Sequence, residues 1–127
     1  MIKKNLNWRM TLNNNKPKIG LYLQGCSRFR KLGSESERET YHQRITVRQH
    51  ALVNTLSGKA EIIDPGIIYS GADANNAIDF FNKEHVHCIL AVFMSWAEDA
   101  SWIRFLRDRG SHPLIYYVPV HDSIDFD

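Results

Sequence analysis

Three groups of residues in this 127-residue chain carry side chains able to do chemistry. Glu98 and Asp99 adjoin as a carboxylate pair of the kind used for general acid and base work. His85 and His87 would share one face of a strand, and an H-x-H pair can ligate a metal. Arg28, Arg30 and Lys31 form a basic loop able to hold a phosphate or a carboxylate. Each group also has a plainer reading. Glu98 and Asp99 suit the first turn of a helix, whose positive end they stabilise. His85 and His87 fall at the amino end of their strand, away from where ligands bind, and an exposed basic loop needs no ligand. His42 and His50 lie eight apart, two turns along a helix and out of chelating range. Spacing assigns no role to His112 or His121.

These residues must be positioned by regular elements, and one stretch organises them. Val86-His-Cys-Ile-Leu-Ala-Val-Phe-Met94 is nearly all apolar and stops in the polar turn Ser95 to Asp99. Such a run reads as a strand buried on both faces of a parallel sheet. A first strand is expected at 18–23, a second at 59–64 and a fourth at 114–118. Between them, Ser34-Glu-Ser-Glu supplies capping residues for a long helix over about 35–57, closed by Gly58. Ser70 or Asp73 caps a second helix with Ala74, Ala77, Ile78 and Phe81 on one face, and a third spans about 97–109. The order β-α-β-α-β-α-β predicts a three-layer (αβα), flavodoxin/Rossmann-like parallel sheet with strand order 2-1-3-4. Its switch point lies between the first and third strands, so the flanking loops Gln24–Gly33 and Met94–Asp99 border the expected crevice.

The length suits one domain, divided here into a basic leader at 1–16, expected to be poorly ordered, and a single α/β domain at 17–127. Residues 1 to 34 hold eight Lys or Arg and no Asp or Glu, whereas Asp122, Asp125 and Asp127 close the chain. The basic arm lacks aromatic interleaving or a recognition motif, so no nucleic-acid partner is expected. No apolar run approaches a membrane span, and the Asn-rich start lacks the core of a signal peptide, so a soluble, cytoplasmic protein is expected. Cys26 and Cys88 make neither a disulfide framework nor a zinc pattern. Gly25 and Gly33 stand too far apart for G-x-G-x-x-G, and G-x-x-x-x-G-K-[ST] is absent. Gln24 and Met94-Ser95 occupy the strand ends where a receiver domain needs carboxylates.

The run Cys88-Ile-Leu-Ala-Val-Phe-Met-Ser-Trp96, then Trp102-Ile103, Pro113-Leu-Ile and Asp122-Ser-Ile-Asp-Phe-Asp127, resembles the amino-terminal domain of the L-arabinose isomerase and L-fucose isomerase-like family. Tyr41-His-Gln-Arg-Ile45 looks like the start of that family's first helix, and the resemblance covers roughly residues 18 to 127. Met94 departs from it where some arabinose isomerases place histidine, as does Tyr117-Val118-Pro119 where polar residues stand.

Several expectations follow from the resemblance. Such enzymes interconvert aldoses and ketoses with a divalent metal, usually manganese, held in a carboxyl-terminal catalytic domain outside the matched region. The matched domain covers the active site of a neighbouring subunit, which implies a homo-oligomer and a sugar substrate. By position Gln24 and Trp96 correspond to substrate contacts, and Ser95 is the hydroxylic residue ending the third strand. An indole can stack on the apolar face of a sugar ring, and the Gln24 amide offers a donor and an acceptor to hydroxyls. The resemblance assigns no catalytic residue, metal ligand or cofactor to this chain itself. The competing expectation is a stand-alone module binding a phosphate or flavin phosphate through Arg28, Arg30 and Lys31, or an interaction domain with no ligand.

Overall fold

In the computed structural model, residues 16–95 and 99–118 are described. Gly20 to Gln24 of the first strand, β1 (Lys18–Gln24), are buried without interruption, because the strand has parallel neighbours on both edges and helices over both faces. On one edge β1 pairs with β2 (Glu61–Ile63) and then with β3 (Ile67–Ile68). On the other it pairs with β4 (Cys88–Phe93), and β4 with β5 (Leu114–Tyr117). The order β2-β1-β4-β5 is the expected 2-1-3-4 with one strand more.

The extra strand comes from a break. Asp64-Pro65-Gly66 closes the second strand near where the sequence suggested, and the pairing of Ile67 and Ile68 beyond it was not expected. Gly66 adopts φ 102° and donates its N–H to Asp64 Oδ1 at 3.0 Å. The chain then rejoins β1 at Leu23 and Gln24, and the Gly25 N–H donates to the Ile68 carbonyl at 2.8 Å.

Among the described residues four helices flank the sheet: α1 (Ser27–Lys31), α2 (Glu35–Ser57), α3 (Gly71–Glu84) and α4 (Asp99–Asp108). Reciprocal capping boxes start the two long ones, Ser34 with Glu37 on α2 and Ser70 with Asp73 on α3. His85 closes α3 in the left-handed conformation at φ 54°. The short α1 falls where the sequence suggested only a loop.

The faces are covered unequally. α3 and α4 bury Ala74, Ala77, Ile78, Phe81 and Phe105 against Tyr22, Ile89 and Ala91 of the sheet. A Cβ on Gly20 would meet the Phe81 ring at 2.7 Å, so glycine is what lets α3 sit this close. Burying each of these large apolar side chains contributes about 1.5–3 kcal/mol. On the opposite face, among the described residues, α2 covers Leu21, Leu23, Val92 and Met94, and Ile45 is its one buried residue. One helix cannot span four strands, and Ile115 and Tyr117 of β5 remain exposed beyond it.

Candidate functional site

Where β1 and β4 end, the two faces of the sheet meet different chemistry. On the α2 side, Tyr41 leans across the ends of both strands. Its hydroxyl accepts the Cys26 N–H at 2.9 Å and shares a hydrogen bond of 2.7 Å with Ser95 Oγ. The ring is held edge-on by Phe29 of α1, with centroids 5.2 Å apart. Partial burial raises the Tyr41 pKa above the ordinary phenol value. At neutral pH this hydroxyl keeps its proton and serves as a hydrogen-bonding group rather than a base.

This contact forms one wall of an open cleft of about 610 Å3, whose lining includes Phe29, Tyr41, Arg44, Arg48, Met94 and Ser95. Its volume suits a small metabolite. The apolar floor comes from Phe29, Ile45 and Met94, and the polar rim from hydroxyls and guanidinium groups. Arg48 Nη1 donates to the Met94 carbonyl at 3.3 Å, bringing α2 against the end of β4. Glu37 stands at the far end, its carboxylate engaged by the Ser34 N–H at 2.7 Å, which holds its pKa below the usual value.

Gln24, at the end of β1, turns the other way. Strand alternation places it on the Tyr22 side, toward α4 and β3, and it is only 1% exposed. Its Nε2 lies within hydrogen-bonding reach of the Gly25 carbonyl at 2.9 Å, the Ile68 carbonyl at 3.3 Å and Ser101 Oγ at 3.0 Å. Its Oε1 accepts from the Tyr22 hydroxyl at 3.1 Å. The amide expected to meet a substrate is therefore saturated by the fold, and it ties β1, β3 and α4 together.

Of the expected contacts, the structure places Ser95 in the cleft and Gln24 behind it. Trp96 and Glu98 lie outside the described residues, as do His121 and the three aspartates that close the chain. Asp99 begins α4. The basic loop became α1, where Arg30 lies over the Tyr69 ring at 5.5 Å, and its cations are not part of the cleft wall. The cleft's cations come from α2.

Three of the described histidines are spent on structure. His87 Nδ1 accepts the Lys18 N–H at 2.9 Å, His42 pairs with the Tyr69 hydroxyl at 3.1 Å, and His112 pairs with Asn82 at 2.8 Å. Among the described residues no group of three His, Cys, Asp or Glu is arranged to hold a metal.

The residues that sequence reasoning missed, Phe29, Arg44 and Arg48, gather only when α1 and α2 pack beside the end of β4. A signal existed in the spacing of Glu37, Tyr41, Arg44 and Arg48, which marks one stripe along a helix. No protein-family model and no curated protein matches the chain. Fold and cleft together define an α/β domain with a ligand-sized opening at the carboxyl ends of its parallel strands.

Proposed function

We propose that this is the substrate-covering and subunit-packing amino-terminal domain of an aldose–ketose isomerase-like protein, with no catalysis of its own. The observation that carries the reading is the cleft at the end of β4, where Ser95 and Tyr41 present hydroxyls above an apolar floor. Sugars are recognised in this way, hydroxyls by polar groups and the C–H faces of the ring by aromatic or apolar ones. The bond-breaking chemistry, and the manganese that the resemblance implies, belong in this proposal to a separate catalytic domain.

The subunit-packing part is supported by β5. Ile115, Tyr116 and Tyr117 of β5, an outer strand of the described sheet, and Val118 just past it are between 51% and 65% exposed, an apolar concentration that suits a subunit contact. A homo-oligomer in the cytoplasm, with no nucleic acid or membrane as partner, completes the proposal. Among the described residues no helix is long and apolar enough to cross a membrane.

Saturation-transfer NMR of the chain with a panel of aldopentoses, aldohexoses and their ketoses tests the reading. At least one sugar at millimolar concentration should receive magnetisation from the protein, and Tyr41→Phe with Ser95→Ala should reduce the transfer. Added Mn2+ should produce no ketose. A panel with no transfer from any sugar would sink the proposal, and metal-dependent turnover by this chain would remove its non-catalytic part.

A further inference from the structure

We infer that the cleft takes a sugar carrying an anionic group, a carboxylate or a phosphate ester, with Arg44 and Arg48 as its anchor. The inference rests on the reading of the cleft as a sugar site and adds the substrate class. The two arginines stand one turn apart on α2 and line the same cleft as Ser95 and Tyr41. Arg48 is fixed there by its bond to the Met94 carbonyl, and a guanidinium has donors to spare after one such bond. Among the described residues neither arginine pairs with a carboxylate, and the Arg44 side chain has no hydrogen-bond partner there. The one acid among the described residues of the cleft lining, Glu37, is engaged by the start of its own helix.

Among the described residues the cleft lining sets two cations against one committed carboxylate. A neutral sugar would use neither arginine as a charge partner. A carboxylate or phosphate would meet both forks, forming the stronger charge-assisted bonds. The rest of the lining argues against a bare anion. Phe29, Ile45 and Met94 give a floor that free phosphate would not contact favourably, while Ser95 and Tyr41 give hydroxyl partners to a sugar ring. Anionic group toward α2 and ring toward the floor is the orientation this cleft selects.

Calorimetric titration of the intact chain at low salt with glucose, glucuronate, glucose 6-phosphate and inorganic phosphate tests the inference. Glucuronate or glucose 6-phosphate should bind roughly tenfold or more tightly than glucose, and the advantage should shrink as salt rises. These two ligands separate a carboxylate from a phosphate source. Arg44→Gln with Arg48→Gln should abolish the advantage of the charged ligands over glucose, and Arg44→Lys with Arg48→Lys should restore part of it. Arg44→Gln alone, which breaks no side-chain hydrogen bond among the described residues, carries the test if the double variant fails to fold. Equal affinity for glucose and both charged sugars overturns the charge assignment and leaves the sugar reading standing. Inorganic phosphate binding as tightly as glucose 6-phosphate overturns the inference and weakens the sugar reading with it. Absence of binding by all four ligands overturns both.

Discussion

On the α3 and α4 side of the sheet, Tyr22, Phe81 and Phe105 are fully buried, and the Tyr22 and Phe105 rings stack with centroids 3.8 Å apart. Trp102 extends the stack toward Phe93. On the α2 side a helix of 23 residues buries Ile45 alone, and the space beside it is open cleft. The same strands serve both faces, since alternation sends Tyr22 and Gln24 to one and Leu21 and Leu23 to the other. Close packing holds this domain together on one side, and incomplete cover leaves side chains available to a ligand on the other. Polar groups follow the same division. The Gln24 amide is saturated on the packed side, whereas the Arg44 side chain has no hydrogen-bond partner among the described residues on the open side.

Substitution of the aromatic stack should therefore give the largest loss of stability. Phe105→Ala removes a fully buried ring and leaves a cavity beside Tyr22 and Trp102, with an expected cost of about 3–5 kcal/mol. Ile45→Ala, on the thinly covered face, should fall near the lower end of its class, about 2 kcal/mol, because the neighbouring cleft lets the site relax. Urea denaturation of both variants checks this, and equal losses would break the contrast between the faces.

Next in size is Gln24→Leu. It leaves the Tyr22 hydroxyl without its acceptor in a buried setting, at an expected cost of about 1–3 kcal/mol. Ligand affinity at the cleft should not change, because the amide faces the opposite side. Weakened sugar binding in a folded Gln24→Leu protein would return this residue to the substrate contacts.

The direction of Gln24 was legible in principle. Residues 20, 22 and 24 must share a face of β1, and Gly20 and Tyr22 lie under α3 and α4. Emphasis on the strand's end, where ligands usually sit, outweighed that alternation. The sheet order was readable because each strand is an apolar run set between helices with strong capping signals. β3 was not, since two residues after Pro65-Gly66 carry no period and pair only because β1 continues past Gly20. The five-residue α1 is likewise too short to show a helical period. The cleft was hidden for another reason. Its arginines lie about fifty positions from Ser95, and only the docking of α2 across β4 brings them together.

Ser70→Ala should have a smaller effect, about 1 kcal/mol, through loss of the cap on α3. That helix carries the packed face, so the loss should appear in global unfolding rather than as local fraying. Amide hydrogen exchange distinguishes the two. Protection lost only in the first turn of α3 would mean that the packed face holds the helix without its cap.

The smallest expected effect belongs to Glu37, at the start of the helix on the open face. Its pKa is lowered, first by the hydrogen bond from the Ser34 backbone N–H and then by the Ser34 side chain. A carboxyl depressed in the folded state contributes stability that is present above its unfolded pKa and lost as pH falls through the folded value. Glu37→Gln retains an acceptor for the Ser34 N–H but removes the charge. The variant should therefore unfold slightly more easily than the parent at neutral pH, and the gap should close as pH falls through the acidic range below the ordinary glutamate value. The same change takes a negative charge from the cleft beside Arg44 and Arg48, so affinity for an anionic ligand should rise while stability falls. Thermal melts across the acid range and a titration with the preferred charged sugar measure the two arms. Tighter binding together with lower neutral-pH stability would place capping and ligand attraction on one carboxylate. A gap that widened toward acid, or a stability unchanged at every pH, would show that the cap does not depend on the charge.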